Sequence, residues 1–574
     1  MEKFNCDVLI IGGSTAGLFA AVSAKNEGLD VLVADKAGAG YSGASIMASG
    51  FWSVFNEDWG MEYDSSLAFI NKNSSYINNR DWSAIFLKES WQTYLDMKAW
   101  GVPFPVPEEE MQAYHTKIYD SNAGHDEVDP HSVYGMIPLS HRKVTPFLRK
   151  YAQRIGVRFM DRVMVTDLLE KDGQIFGAVG FPMDGDDRYV IRAKATVLSA
   201  GRNYFKPPGM NVSGQTGDAD AMAYRAGAVI SGKEFPDMHM NIAKDPMWKG
   251  TGEIYPAYFE FDDGYGRRLP NRGFDLSLAS TIHAGYGPIV WDFGKATERD
   301  LKTINEYLIK RGNPKEIERV GLDPAAGGKF PMIGGAAAGG CQESSAGLWP
   351  VDLDGASNLK GLYAAGDCLA TWMWGAHMQG PPPGLAPAAV TGKRAGNAAA
   401  AFVKSADALL FTEPDIGAAL AHAFRARERD TGFDPHFVFQ LLQNYMMPWY
   451  VLHIKHADRM KPTLELLSFL RTHTIPKMRA ENTHELRICH ETENMALNAE
   501  MILRSSLMRE ESRGWHFRED FPVENDDWQA WVLMQQDENG QMVMHKKAVP
   551  EAWRKPPTET YAQRWLAWEH PFDV

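Results

Sequence analysis

The stretch that most constrains this chain is residues 7–35, DVLIIGGSTAGLFAAVSAKNEGLDVLVAD. Residues 7–11 form a short apolar run that stops at glycine, the pattern of a strand buried on both faces of a parallel sheet. Gly12-Gly13-Ser14-Thr15-Ala16-Gly17 follows, then a helical pattern that closes at Gly28. Residues 29–34 read as a second strand that runs into Asp35. This is a strand–turn–helix–strand unit of the dinucleotide-binding kind. Gly12 permits the tight turn, and Gly17 lets helix and strand approach closely. The backbone N–H groups at the helix start suit a pyrophosphate. Asp35 suits the ribose hydroxyls of an adenosine. Ser14 stands where the pattern has its middle glycine.

Composition narrows the alternatives. With 574 residues the chain has room for three or four structural units and a substantial core. Its 44% hydrophobic and 23% charged residues are ordinary globular values, which excludes disorder or coiled coil as the main state. Lys and Arg number 59 against 73 Asp and Glu, a net charge of −14. That balance argues against a general binder of nucleic acid or anionic membranes. The four cysteines, Cys6, Cys341, Cys368 and Cys489, are far apart and form no CxxC. A cysteine-held zinc, a c-type haem or an iron–sulfur cluster within this chain is therefore not expected. The expectation is a reduced, cytoplasmic protein. No run approaches about 18 apolar residues, so no membrane span is expected, and because the first residues enter a strand pattern no signal peptide is expected either. No metal-binding signature and no GxSxG is present.

Two later segments repeat the logic of the first. Residues 195–201, ATVLSAG, form a strand running into glycine. Residues 361–367, GLYAAGD, form another that ends in Gly366-Asp367, with a small-residue helix, LAPAAVTGKRAGNAAAAF, further on. A carboxylate at such a strand end suits a polyol hydroxyl, and the helix start can turn its N–H groups toward an electron-rich ring carbonyl.

Together, DVLIIGGSTAG, VLVADK, SGASIMASG, ATVLSAG, GQTGDADAMAYRAGA, GLYAAGDC, GKRAGNAAA and the late MILRSSLMREESRGWHFREDFP resemble the fumarate reductase/succinate dehydrogenase flavoprotein family over most of the chain. The resemblance implies an α/β protein: a Rossmann-like FAD-binding domain over 1–231 and 330–405, with an inserted α+β capping domain over 232–329. A C-terminal helical domain at 406–520 and a tail at 521–574 would complete it. It implies FAD held by Gly12, Ser14, Thr15, Ala16 and Gly17 of the first turn, and by Asp35, Lys36, Ser42, Gly43 and Ala44 of the segment after it. Val163, Ala200, Gly201, Asp218, Gly366, Asp367, Leu385 and Ala386 complete the implied cofactor set. Respiratory members attach FAD to a histidine at the position that is Gly43 here, so the flavin is expected to be noncovalent.

The implied substrate site departs from the family. His239 falls on a substrate-binding histidine. A second family histidine becomes Phe330, the family's carboxylate-gripping arginine becomes Met378, and the histidine before it becomes Trp374. Arg is the residue whose planar fork holds a carboxylate bidentately. Its loss, beside Trp372 and Trp374, predicts that fumarate and succinate are poor substrates and that the pocket suits an apolar or aromatic molecule. His377 follows Gly366-Asp367-Cys368 much as a histidine does in the adenylylsulfate reductase branch, which works with a ferredoxin-like iron–sulfur protein. The expectation is a hydride exchange with FAD, with His239 and His377 facing substrate and Arg272 or Tyr286 moving the proton. The alternatives are the flavoprotein component of an enzyme for a sulfonate- or sulfite-type compound, working with a ferredoxin-like partner, and a flavin-fold binding protein without redox chemistry. His484, His490 and His516 of the helical tail are expected to pack rather than react.

Overall fold

A computed structural model of the chain describes residues 1–47, 51–107, 109–110, 135–140, 143–206, 214–237, 241–242, 261–269, 274–292, 294, 326–333, 340–341, 345–376, 384–406, 413–557 and 559–566. Its main sheet is seven-stranded. Strand β1 (Glu2–Ile11) leads into helix α1 (Thr15–Asn26) and strand β2 (Val31–Asp35). Strands β3 (Arg158–Asp161), β4 (Val163–Lys171), β5 (Gln174–Pro182) and β6 (Tyr189–Leu198) follow. Helix α2 (Asp218–Arg225), strand β7 (Leu362–Ala364) and helix α3 (Leu385–Ser405) complete the part that carries the site.

The strands lie in the order β3-β2-β1-β6-β5-β4. β3, β2, β1 and β6 run parallel, whereas β5 and β4 return as an antiparallel meander. β6 is shared along one edge: its first half pairs with β5 and its last residues pair in parallel with β7. β1 begins five residues earlier than the apolar run, because Glu2–Cys6 pair with Tyr189–Ala193. Registers align Ile11 with both Ala34 and Leu198, and Leu198 with Ala364. Four strand ends therefore finish level, and the loops holding Gly12, Asp35, Gly201 and Gly366 leave from one edge. Ligands bind at this carboxyl edge in open α/β sheets.

Helices α1 and α3 cover that sheet side by side. A Cβ on Gly392 would lie 3.0 Å from Ala16 C, and one on Gly396 would lie 2.8 Å from Ala20 Cα. The contacts advance together by four residues, so the helices run in the same direction with backbones touching. Both starts, at Ser14 and at Gly384, lack a side-chain cap.

In the cap, Asn241–Ile242, Lys329–Ile333, Ile289–Asp292 and Phe261–Asp262 form a four-stranded antiparallel sheet, with a helix at Phe274–Thr281. This sheet takes in Lys329–Ile333 and so crosses the boundary at 329/330 read from sequence. Helices fill Glu413–Phe424, Pro435–Met446, Ala457–Phe469 and α4 (Thr483–Met508). The final segment, without periodicity in sequence, contains a hairpin of Ala530–Gln536 and Met542–Ala548. Its first strand pairs with Ile230–Ser231, which pairs in turn with Gly347–Leu348. Residues 530–534 are all buried, so no alternation marks them as a strand.

His422, of the helix Glu413–Phe424, ties the helical part to the main sheet. Its ring meets Asp167 of β4 at 2.8 Å and Glu493 of α4 at 3.2 Å. Burial alone would push this imidazolium down, but the two carboxylates outweigh it and push it up to about 9. A group raised above its unfolded value near 6.5 contributes fully below that pH and loses its contribution as pH climbs through the folded value. The gap in urea midpoint between the native chain and His422→Gln is expected to be wide at pH 6 and nearly closed by pH 10. A gap that is constant over that range contradicts the assignment.

The helix pair yields a prediction of sign. Gly→Ala inside a helix ordinarily stabilises by about 1 kcal/mol. Gly417, with nothing within 4 Å of a built Cβ, is expected to follow that rule in Gly417→Ala. Gly396→Ala is expected to destabilise by roughly 2 kcal/mol, because the new methyl meets fixed backbone rather than a side chain that can turn away. Urea denaturation of the two variants measures both signs.

Candidate cofactor and substrate site

The first turn is built by exclusion of side chains. Gly12 has φ +101°, and a Cβ there would sit 2.5 Å from the Ser199 carbonyl oxygen. A Cβ on Gly13 would sit 2.7 Å from Ala39 Cα, and one on Gly17 would run into the Gly12 carbonyl. Ser199 fastens the turn from β6, its hydroxyl donating to Gly12 O at 2.7 Å. Ser14 is tolerated where the pattern has glycine because its φ is −89°, in the extended region open to any residue. Thr15 is fully buried and its hydroxyl has no partner among the described residues.

Asp35 works first on the protein. Its carboxylate accepts from the Gly13 N–H (2.8 Å), the Ala37 N–H (2.8 Å) and the Ser42 hydroxyl (3.2 Å), which pins the turn to the loop after β2. A carboxylate has about four acceptor sites, so one remains open. Lys36 donates to Thr216 (2.9 Å) and Asp218 (2.7 Å), and pairs with Glu491 of α4 at 2.8 Å. Glu491 also binds Lys206 at 2.5 Å. Burial pushes the Glu491 carboxyl up, but Lys36, Lys206 and Arg487 outweigh it and hold it down at about 2. Gly43 has φ +80° and faces open space, with Ser14 Cβ nearest at 3.9 Å; Ala44 opens a short helix, Ala44–Met47. Val163 is buried at the start of β4, beside Arg162, whose N–H donates to Ala37 O at 2.9 Å.

On the other side of the turn, Ala200 and Gly201 leave β6. Gly201 has φ +80°, and a Cβ there would meet Gln215 at 2.8 Å. Gly366 has φ +63° and fits between the two helices; its Cβ would lie 2.9 Å from that of Ala16 and 3.5 Å from that of Ala388. Its N–H donates to the Thr391 hydroxyl of α3 at 2.9 Å. Asp367 is thereby presented beside the starts of α1 and α3. Burial pushes its carboxyl up, Arg202 pulls it down, and Asp237 and Asp220 push it up again. Leu385 and Ala386 are buried at the start of α3. Two uncapped helix starts, an unpartnered Thr15 hydroxyl, a glycine cradle and carboxylates at two strand ends fit a dinucleotide.

The expected substrate residues fare differently. His239, Arg272, His377 and Met378 lie outside the described residues. Phe330 is in the cap strand Lys329–Ile333, opposite Trp291. Tyr286 packs within the cap, edge-on to Tyr265 with Arg267 over its ring at 4.4 Å. Trp372 is a core residue rather than a pocket wall. It has no exposed surface, its indole N–H donates to Ser231 at 3.1 Å, and its ring meets Phe235 and Trp531. Trp374 is also buried, edge-on to Phe86, and its indole N–H has no partner among the described residues. Large rings beside a glycine-rich loop look alike in sequence whether they line a pocket or fill a core.

Sequence reasoning missed Arg202, Asp237 and Glu491. The first two stand beside recognisable motifs, one residue after Gly201 and two before His239, so a charge flanking a glycine turn is the signal that finds them. Glu491 carries no local signal, because its partners come from distant segments. His516 and His490 are fully enclosed by the fold. His516 lies against Lys455 (2.9 Å) and the Arg509 carbonyl (3.2 Å), and burial with the surrounding cations holds it well below its ordinary value. His490 meets the Ala423 carbonyl at 2.7 Å.

Residues 7–251 match the FAD binding domain family, and residues 442–561 match the fumarate reductase flavoprotein C-terminal family. Over most of its length the chain is similar to the fumarate reductase/succinate dehydrogenase flavoproteins. It is 26% identical over 570 residues to one of the chains of the fumarate reductase (CoM/CoB) of Methanothermobacter marburgensis, covering 93% of this chain and 97% of that one. Its fold matches E. coli quinol fumarate reductase with a TM-score of 0.80 at 18% identity, over 99% of this chain and 100% of that one. It also matches adenylylsulfate reductase of Archaeoglobus fulgidus with a TM-score of 0.76 at 19% identity, over 97% of each. The chain is an FAD-dependent oxidoreductase. Among the described residues, no helix is long and apolar enough to cross a membrane.

Glycine at position 43 offers no nucleophile to the flavin. Acid precipitation of the yellow protein is expected to leave all flavin absorbance in the supernatant; colour that stays in the pellet contradicts this.

Proposed function

We propose that this flavoprotein exchanges hydride between FAD and a small apolar or aromatic carbon compound, and that fumarate and succinate are poor substrates. The observation that carries this reading is the pair of substitutions at Phe330 and Met378, where the family pattern has a histidine and an arginine. Without those groups a dicarboxylate entering the site leaves its charges unpaired, a cost of several kcal/mol per ion. His239 and His377 remain as the polar groups that face substrate, and Arg272 or Tyr286 moves the accompanying proton. The cofactor set reads as Thr15 and the starts of α1 and α3 for the phosphates and ring, Asp35 for the ribose, and Asp367 for the polyol. FAD supplies the redox chemistry; the chain supplies position, electrostatics and exclusion of water.

Electrons leave through a separate ferredoxin-like protein in this reading. Cys6, Cys368 and Cys489 are free thiols, and the sequence has no spacing that would hold a cluster. The fold shared with adenylylsulfate reductase keeps a sulfite-type compound as the second reading. One experiment covers both. The oxidised FAD-loaded protein is mixed anaerobically with succinate, saturated apolar and aryl-substituted acids and sulfite, and flavin bleaching is followed, with oxidised ferredoxin added afterwards; the reduced protein is mixed with fumarate and apolar enoates, and the return of flavin colour is followed. Saturated apolar or aryl-substituted acids are expected to bleach the oxidised flavin, and apolar enoates to recolour the reduced flavin, at least tenfold faster than succinate and fumarate respectively, and ferredoxin to restore the colour after bleaching. Rapid bleaching by succinate refutes the apolar reading, and bleaching by sulfite alone selects the second.

A further inference from the structure

Behind Asp367 lies a cluster of buried charge that the cofactor reading does not use. Arg202 follows Gly201 directly, where the chain leaves β6. Its Nη1 donates to Asp237 Oδ2 at 2.7 Å, and its Nε lies 3.5 Å from Asp367 Oδ2. Tyr204 donates its hydroxyl to the same Asp237 oxygen at 2.9 Å. Asp237 belongs to a two-residue strand, Pro236–Asp237, paired with Gly340–Cys341, and stands two residues before His239. Arg202, Tyr204 and Asp237 are all buried. A second buried pair adjoins them: Lys233 binds Asp220, Asn203 (3.2 Å) and Asn498 (2.8 Å). One guanidinium thus joins the carboxylate at the β7 end to the strand Pro236–Asp237.

We infer that Arg202 and Asp237 are positioning residues for the flavin: Arg202 aims the Asp367 carboxylate at the cofactor, Asp237 holds Arg202, and their opposite charges set the flavin's midpoint potential. This rests on the reading of Asp367 as a cofactor residue. The physical ground is the buried setting. A fixed charge in low dielectric acts on a developing charge far more strongly than in water. Reduction adds negative charge to the flavin, and nearby protein charge is one of the ways a protein tunes it. Arg202 favours that added charge, and Asp237 opposes it. A group that merely holds the fold has no reason to act with a sign.

The test uses the full-length FAD-loaded protein and two readouts, the FAD dissociation constant and the flavin midpoint potential. Asp237→Asn is expected to raise the potential and Arg202→Gln to lower it, each with FAD binding weakened about tenfold or less. The double variant, which removes one charge of each sign, is expected to return toward the native potential. Shifts of the same sign, or none, overturn the inference. Breaking a buried ion pair from one side is costly, so Arg202→Lys serves if Arg202→Gln does not fold. Retained charge predicts a native potential with weakened FAD binding; a potential that falls as far as it rises in Asp237→Asn overturns the inference. Asp367→Asn separates the two levels. If it binds FAD as the native chain does, the cofactor reading of Asp367 fails and this inference with it. If it weakens FAD tenfold or more while the opposite shifts are missing, the inference alone fails.

Discussion

The site depends on one close approach. Helices α1 and α3 touch backbone to backbone, Ala16 against Gly392 and Ala20 against Gly396. Larger side chains at these positions would hold the two axes at the ordinary distance between packed helices. The approach brings both helix starts to the same end of the sheet, and it fixes the width of the slot that Gly366 fills. Widening that slot by one methyl shifts Asp367 away from the first turn. The glycines of this chain are therefore of two kinds. Gly12, Gly201 and Gly366 supply backbone angles, whereas Gly392 and Gly396 supply distance.

Electrostatics then joins what packing places. The late part of the sequence supplies buried polar and charged partners to the early part: Glu491 to Lys36, Asn498 to Lys233, Arg509 to Glu234. Arg509 is fully buried and also holds Glu511 and the carbonyls of Trp528 and Ala530. Arg513 meets Glu511, Glu524 and the Ser75 carbonyl. Each charge in this network is costly to bury alone, and removal of any one partner leaves another uncompensated. The cap joins the same system where His283 lies 2.8 Å from Glu519, which also binds Arg459, and edge-on to Trp449.

Much of the fold is legible in the sequence, for a physical reason that also marks its limits. The unit at 7–35 can be read because strand, turn, helix and strand each follow a local rule: apolar run, glycine, helical period, apolar run. The strands ending near Gly201 and Gly366 follow the same rule. The hairpin at 530–548 does not, since its first strand is buried on both faces and its second is mostly exposed, so neither shows a clean alternation. In the site, the loops at the strand ends are legible, but the load carried by each residue is not. Asp35 looks like a free ribose acceptor and turns out to pin its own turn first. Trp372 looks like a pocket wall and is core, because Phe235 and Trp531 reach it from segments far away in sequence. Lys36 looks like a cofactor contact, and its strongest partners, Asp218 and Glu491, come from α2 and α4. Long-range partners decide these outcomes, and no local pattern encodes them.

The short strand Ile230–Ser231 bears on how the molecule is made. Both of its neighbours, Gly347–Leu348 and Ala530–Gln536, lie downstream, and the Ser231 hydroxyl donates to a carbonyl at Val532, 301 residues along the chain. During synthesis on the ribosome the nucleotide-holding half emerges first, with this edge bare and with Glu234 buried by nothing. Its closure waits for almost the entire polypeptide. Until then the nascent chain carries an open strand edge, a feature that makes a partly folded chain prone to aggregate.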